Sequence, residues 1–294
     1  MSLACRIGRS LGTFAAVAAL VAGAACTGPA GPAPTAGMTL SGAPLIGKFV
    51  WRDLVTEDPA AVKPFYAALF GWEFEERRAL GAPYTLVKQG GVPIAGISRA
   101  KRALPDQPVS QWISFLSVAS VDRAAEMVQQ DGGRIVAGPL DLPRIGRGAV
   151  VLDPDGAPLG LLRSTAGDPV DTPAPALNRF LWTEHLSRRP QAVAQFYARL
   201  AGHEIRRTEV GDQGYWVLSS QDRPRAGVLR NPTTVDRSVW LAYVQVADPA
   251  ASAARAAQLG GKVLLAPRPD LRNGSLAVIA DPTGAVLALQ RWPM

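Results

Sequence analysis

The chain has 294 residues, 48% of them hydrophobic, with a formal net charge of +7; that is enough for one large or two ordinary domains and excludes a disordered or collagen-like whole. Basic residues are spread out rather than gathered into a block that could track a phosphate backbone, so nucleic acid is not an expected partner. Two cysteines, Cys5 and Cys26, and two histidines, His185 and His203, exclude a disulfide framework and any site needing several imidazoles.

The amino-terminal segment carries Arg6 and Arg9, and an uncharged apolar stretch follows from Leu11 to Ala25, the layout of a secretory signal. This stretch is shorter than the ~20 residues of a membrane span, so a cleaved signal peptide is expected over 1–25. Cys26 follows Gly23-Ala24-Ala25, which resembles the lipobox of bacterial lipoproteins, although Gly23 stands where an aliphatic residue is usual. That resemblance implies a lipid on Cys26, the membrane as a partner, and anchoring to the outer face of a bacterial cell membrane. Residues 26–45, dominated by Gly, Pro, Ala, Thr and Ser, read as a flexible tether.

Beyond the tether the pattern predicts a strand over 48–55, a helix over 59–69 with Pro59 at its start and Gly71 as its stop, and strands over 73–78, 84–88 and 94–99. A strand over 111–118, a helix over 121–130, a Gly132-Gly133 stop and three further strands complete the unit. The order then recurs. Phe49-Val-Trp-Arg-Asp-Leu-Val-Thr and Phe65-Tyr66 match Phe180-Leu-Trp-Thr-Glu-His-Leu-Ser and Phe196-Tyr197; Trp112-Ile-Ser-Phe matches Trp240-Leu-Ala-Tyr; and Asp153-Pro-Asp-Gly matches Asp281-Pro-Thr-Gly. The expected organisation is a first domain over 46–164, a linker over 165–177 and a second domain over 178–294.

This order, with Asp58, Phe65-Tyr66, Gly71-Trp72 and the late Asp-Pro-Asp-Gly turn, resembles the vicinal oxygen chelate superfamily, which includes glyoxalase I, bleomycin-resistance proteins and extradiol dioxygenases. The resemblance implies an α+β fold of two tandem domains, each of two βαβββ modules curled into a cup. It also implies a metal held by a His opening the first strand, a His opening the fifth and a Glu four residues after the turn. Matched to this sequence those places are Trp51, Trp112 and Gly160, then Trp182, Trp240 and Ala288, none able to ligate a cation, so neither metal nor other cofactor is expected.

Strand alternation assigns the remaining faces. It predicts Trp51, Asp53, Val55, Trp112, Ser114 and Leu116 inside the first cup, with Leu54, Ile113 and Phe115 under the helices. It predicts Trp182, Glu184, Trp240, Ala242 and Gln290 inside the second. Two indoles and one acid per cup suit a flat or cationic small molecule. The competing reading is that the indoles fill space and the acids pair with a neighbouring Arg. His185 and the helical Tyr66 and Tyr197 read as packing residues, and His203 as lying near the surface. The leading expectation is a non-catalytic binding module. Its rivals are a glyoxalase- or dioxygenase-type or metal-free enzyme using Asp53 or Glu184 as acid or base, and a scaffold for another envelope protein; no catalytic residue is assigned.

Overall fold

The computed structural model describes residues 35–292 apart from 102–108, 174, 211–212 and 234–236; the expected signal peptide and Cys26, the expected site of lipidation, lie outside the described residues. The first repeat contains β1 (Phe49–Thr56), α1 (Pro59–Phe70), β2 (Glu73–Ala79), β3 (Ala82–Gln89), β4 (Val92–Arg99), β5 (Gln111–Ser117), α2 (Val121–Gln130), β6 (Arg134–Leu142), β7 (Gly146–Leu152) and β8 (Pro158–Ser164). The second contains β9 (Phe180–Ser187), α3 (Pro190–Ala201), β10 (Glu204–Val210), β11 (Gln213–Ser220), β12 (Arg223–Arg230), β13 (Val239–Gln245), α4 (Pro249–Gln258), β14 (Lys262–Leu265), β15 (Leu276–Ala280) and β16 (Val286–Gln290).

Each repeat makes one eight-stranded curled sheet, in the orders β2-β3-β4-β1-β5-β8-β7-β6 and β10-β11-β12-β9-β13-β16-β15-β14. Within a sheet two βαβββ modules meet at an antiparallel seam, β1 on β5 or β9 on β13. Local chemistry sets the helix ends. Asp58 caps α1 by accepting from the amides of Ala60 and Ala61, Pro59 opens the helix, and Gly71 closes it with φ 68°, a conformation that costs glycine least.

The convex faces pack back to back with the helices between them. Leu54, Val62, Phe65, Tyr66, Val87 and Ile97 of the first repeat share a core with Val244, Ala253, Ile279 and Leu287 of the second. Leu116, Val121, Val128 and Leu159 share another with Val193, Phe196, Leu218 and Val228. Each core thus joins one module of each repeat.

Aromatic and acidic groups bridge this seam twice. Trp112 Nε1 donates to Tyr66 Oη at 3.0 Å, and Tyr66 Oη donates to Asp281 Oδ2 at 2.9 Å. Trp240 Nε1 donates to Tyr197 Oη at 2.9 Å, and Tyr197 Oη donates to Asp153 Oδ2 at 2.8 Å. His185, fully buried, adds a bond from Nε2 to Asp153 Oδ2 at 2.7 Å, where the first repeat has the apolar Leu54. Tyr66 and Tyr197 are therefore more than filler: each holds the Asp-Pro turn of the opposite repeat.

Trp112, Ser114 and Leu116, expected in the first cup, face this inter-repeat core instead, and so do Trp240 and Ala242 of the second. The reason is register. Leu54 lies opposite Trp112, Asp53 opposite Ile113 and Trp51 opposite Phe115, and directly opposed residues share a face. The alternation along β5 holds but its phase is one residue off, which exchanges the two faces completely. His203 is also corrected, being 5% exposed with Nε2 2.7 Å from the Gly47 carbonyl. The segment entering β1 crosses over it. The end of the stretch that reads as a tether is itself held against the inter-repeat linker: Val170 N donates to Thr39 O, Ser41 N to Asp168 O and Leu45 N to Asp168 Oδ2.

Candidate functional site

Gly96 on β4 is the hinge of the first cup's geometry. It lies opposite Asp53, and a Cβ there would come 1.7 Å from Tyr84 Oη and 2.4 Å from Asp53 Oδ1. With no side chain in the way, Tyr84 reaches across β4. Its Oη donates to Asp53 Oδ1 at 2.7 Å, and Trp51 Nε1 donates to the same oxygen at 2.9 Å. Asp53 Oδ2 carries no hydrogen bond among the described residues. Burial raises the Asp53 pKa above the ordinary carboxylate range, and the bonds from Tyr84 and Trp51 pull it only part of the way back. Burial and then the Asp53 charge hold the Tyr84 phenol protonated.

Apolar walls surround this acid. Val55, Ile113, Ala137 and Val150 cluster with the partly buried Phe115. Ser98, two residues beyond Gly96 and opposite both Val55 and Tyr84, is 1% exposed, and its Oγ has no hydrogen-bond partner among the described residues. The first cup is thus a greasy concavity with one open carboxylate oxygen and one unsatisfied hydroxyl.

The second cup repeats the frame and then fills it. Gly227 again makes room, with a Cβ position 2.0 Å from Tyr215 Oη; Tyr215 Oη donates to Glu184 Oε1 at 2.6 Å, and Trp182 Nε1 donates to Tyr215 Oη at 3.1 Å. Here the acid is saturated. Tyr243 Oη donates to Glu184 Oε2, and Arg272 reaches in to pair with Oε1. Arg272 Nη1 also donates to Gln290 Oε1 at 3.2 Å, and its guanidinium lies 5.4 Å over the Tyr243 ring. Burial works against the Arg272 cation, but attraction to Glu184 outweighs it and keeps the guanidinium charged.

Matching positions around the acid show why one cup is filled and the other is not. Phe115 stands for Tyr243, and Leu162 for Gln290. Arg144, which like Arg272 precedes its Asp-Pro turn by nine residues, remains exposed on the surface. Without the phenol and the amide, no described side chain in the first cup holds an arginine over the acid.

The residues that the sequence places in the cups are therefore divided. Trp51, Asp53, Trp182, Glu184 and Gln290 line concave faces, whereas Trp112, Ser114 and Trp240 do not. Sequence reasoning missed Tyr84, Tyr215, Ser98 and Arg272. A signal for the tyrosines was present, because Tyr84 with Ala95-Gly96 recurs as Tyr215 with Ala226-Gly227.

Comparison with known proteins agrees with this architecture. Residues 46–161 match the profile of the glyoxalase/bleomycin resistance protein/dioxygenase superfamily, and residues 184–289 match that of a glyoxalase-like domain. The Mycobacterium tuberculosis protein CFP32, provisionally named a glyoxylase, is 29% identical over 242 residues, covering 81% of this chain and 92% of that protein. The anthracycline biosynthesis protein DauV of Streptomyces sp. (strain C5) is 29% identical over 255 residues, covering 81% and 91%. Among solved structures, the Mn(II)-bound glyoxalase of Novosphingobium aromaticivorans superposes with a TM-score of 0.56 at 17% identity, covering 85% of this chain and 82% of that one. The 2,2',3-trihydroxybiphenyl 1,2-dioxygenase of Sphingomonas wittichii gives 0.55 at 12% identity, covering 84% and 90%.

The chain belongs to the vicinal oxygen chelate superfamily.

The metal centre that this membership implies does not fit the residues present. On the observed register the positions facing the first cup are Trp51, Ile113 and Gly160, and those facing the second are Trp182, Leu241 and Ala288. None offers a lone pair to a cation. A Cβ at Gly160 would lie 2.2 Å from the Phe115 ring, so that ring already occupies the space a liganding carboxylate would need. Among the described residues no three His, Cys, Asp or Glu side chains gather into a metal-binding group. This vicinal oxygen chelate chain keeps the frame of the cup and has replaced its coordination chemistry with indole, phenol and carboxylate.

Proposed function

We propose that the protein is an exported, lipid-anchored binding module whose first cup takes a small aromatic or apolar molecule, while its second cup is a closed structural counterpart. The observation that carries this reading is the contrast between the acids: Asp53 keeps one oxygen open toward apolar walls, whereas both oxygens of Glu184 are bonded within the protein. A concave apolar site with a few convergent polar groups is the usual form of a small-molecule pocket. The relation to an anthracycline biosynthesis protein supports a flat polycyclic body as the shape of ligand, since stacking on Trp51 suits such a molecule. Export and the lipid on Cys26 rest on the amino-terminal sequence. A lipid adduct on the Cys26 peptide by mass spectrometry, with Cys26→Ser releasing the protein from the membrane fraction, is the expected result; unmodified Cys26 would refute the anchor.

Binding is tested by titrating the purified chain with a panel of flat aromatic compounds, reading tryptophan fluorescence and the melting temperature. A response lost in Trp51→Ala and kept in Trp182→Phe supports the assignment. Silence across the panel overturns it and favours a scaffold role. One observation favours a second reading. The desolvated Asp53 has the raised pKa of a general base, so a proton-abstracting enzyme without metal is the alternative, and turnover abolished in Asp53→Asn would decide for it.

A further inference from the structure

We infer that the first cup takes an organic cation, an amidinium, guanidinium or protonated amine on a flat apolar body, whose positive group seats on Asp53 Oδ2 as Arg272 seats on Glu184 in the second cup. This rests on the reading of the first cup as a binding pocket and names the chemistry of its occupant.

The two repeats share one frame. Trp51, Asp53, Tyr84 and Gly96 correspond to Trp182, Glu184, Tyr215 and Gly227; the indole-to-phenol and phenol-to-acid hydrogen bonds occur in both cups, and only in the first does the indole also donate to the acid. In the second cup this frame holds a guanidinium between the acid and the Tyr243 ring. The frame therefore has a built-in example of the group that satisfies it. In the first cup the matching ring is Phe115, which is able to present an aromatic face to a cation. The matching arginine, Arg144, stays outside.

Three substitutions explain why the first cup does not fill itself. Asp53 is one methylene shorter than Glu184, Phe115 lacks the Tyr243 hydroxyl, and Leu162 lacks the Gln290 amide that braces Arg272. What remains is a desolvated carboxylate whose bonded partners, Trp51 and Tyr84, are neutral. A partly buried acid facing apolar walls recognises a counter-charge better than a neutral isostere, because only the cation compensates for lost hydration. Ser98 Oγ, buried and without a partner among the described residues where the second repeat has Leu229, offers an acceptor for a second N–H of such a group.

The test uses benzamidine and its neutral isostere benzamide with the full-length protein in detergent, read by calorimetry and tryptophan fluorescence. Benzamidine is expected to bind at least about tenfold more tightly than benzamide, and Asp53→Asn to bring that ratio to about one. Arg272→Ala, which empties the second cup beside Glu184, is expected to raise the stoichiometry for benzamidine from one to two. Equal affinities in the wild type, or a preference that survives Asp53→Asn, overturn the inference; so does a folded Arg272→Ala protein with stoichiometry still at one. Should neutral aromatics bind at Trp51 with no preference for charge, this inference fails and the pocket reading stands. Should no aromatic compound of either kind bind, both fail.

Discussion

Tyr66 and Asp281 stand 215 positions apart in the chain and meet at 2.9 Å in the buried seam between the repeats. Tyr66 Oη is the only donor to Asp281 Oδ2 among the described residues, whereas the equivalent Asp153 Oδ2 accepts from both Tyr197 and His185. Tyr66→Phe should therefore cost about 1–3 kcal/mol, the penalty for stranding a buried charged acceptor, and Tyr197→Phe should cost less. Paired urea denaturation curves measure the difference. Equal losses would show that His185 contributes nothing to holding Asp153.

Gly96 and Gly227 admit no side chain without expelling a tyrosine. Gly96→Ala should displace Tyr84, leave Asp53 with Trp51 alone, abolish binding in the first cup, and destabilise the fold by about 1–3 kcal/mol. Gly227→Ala should destabilise similarly but leave that binding intact. Calorimetry with each variant separates the two effects.

The Arg272–Glu184 pair sets up a test of a different kind. Removing one partner strands the other in a site where Glu184 is 1% exposed, so Arg272→Ala should cost about 3–5 kcal/mol. Removing both charges together, as in Glu184→Gln with Arg272→Met, should recover most of that loss. A double variant less stable than the single one would mean that the pair contributes net stability to the second cup.

Two aspartates should respond to pH in opposite directions. Burial alone would raise the Asp155 pKa, but bonds from Ser238, Ser187 and Arg189 prevail and hold it at about 2. Its contribution, on the order of 2 kcal/mol, is present above about pH 4 and is lost as pH falls through about 2, so Asp155→Asn should flatten the acid limb of the stability curve. Asp53 has the opposite sign. Its raised pKa means that stability is lost as pH rises through that value, so Asp53→Asn should melt no lower than the wild type at pH 7 even as it loses ligand. Thermal melts from pH 2 to pH 8 check both.

Much of the fold was legible because its signals were local and most occurred twice. The Gly71 stop recurs as Gly202 and the Asp153 turn as the Asp281 turn, which announces the duplication, whereas the Asp58 cap has Arg189 in its place. The phase of β5 was not legible from alternation alone, because a bulge in β1 between Phe49 and Trp51 breaks the match between strand openings. Helix caps supply a better ruler. Seven residues before Asp58, Ser120, Arg189 and Asp248 stand Trp51, Ile113, Trp182 and Leu241, all on concave faces. Arg272 and Gln290 could not be paired from sequence, since the loop that carries Arg272 adopts φ 48° there and 52° at Asn273, a turn with no regular period.

Whether one cup binds while the other is closed is tested most directly by labelling the seven tryptophans with fluorine. With the Trp51 and Trp182 resonances assigned by Trp51→Phe and Trp182→Phe, titration with an aromatic cation should shift the Trp51 signal and leave Trp182 where it is. A shift at Trp182, or a bound ligand that moves neither signal, would contradict the account.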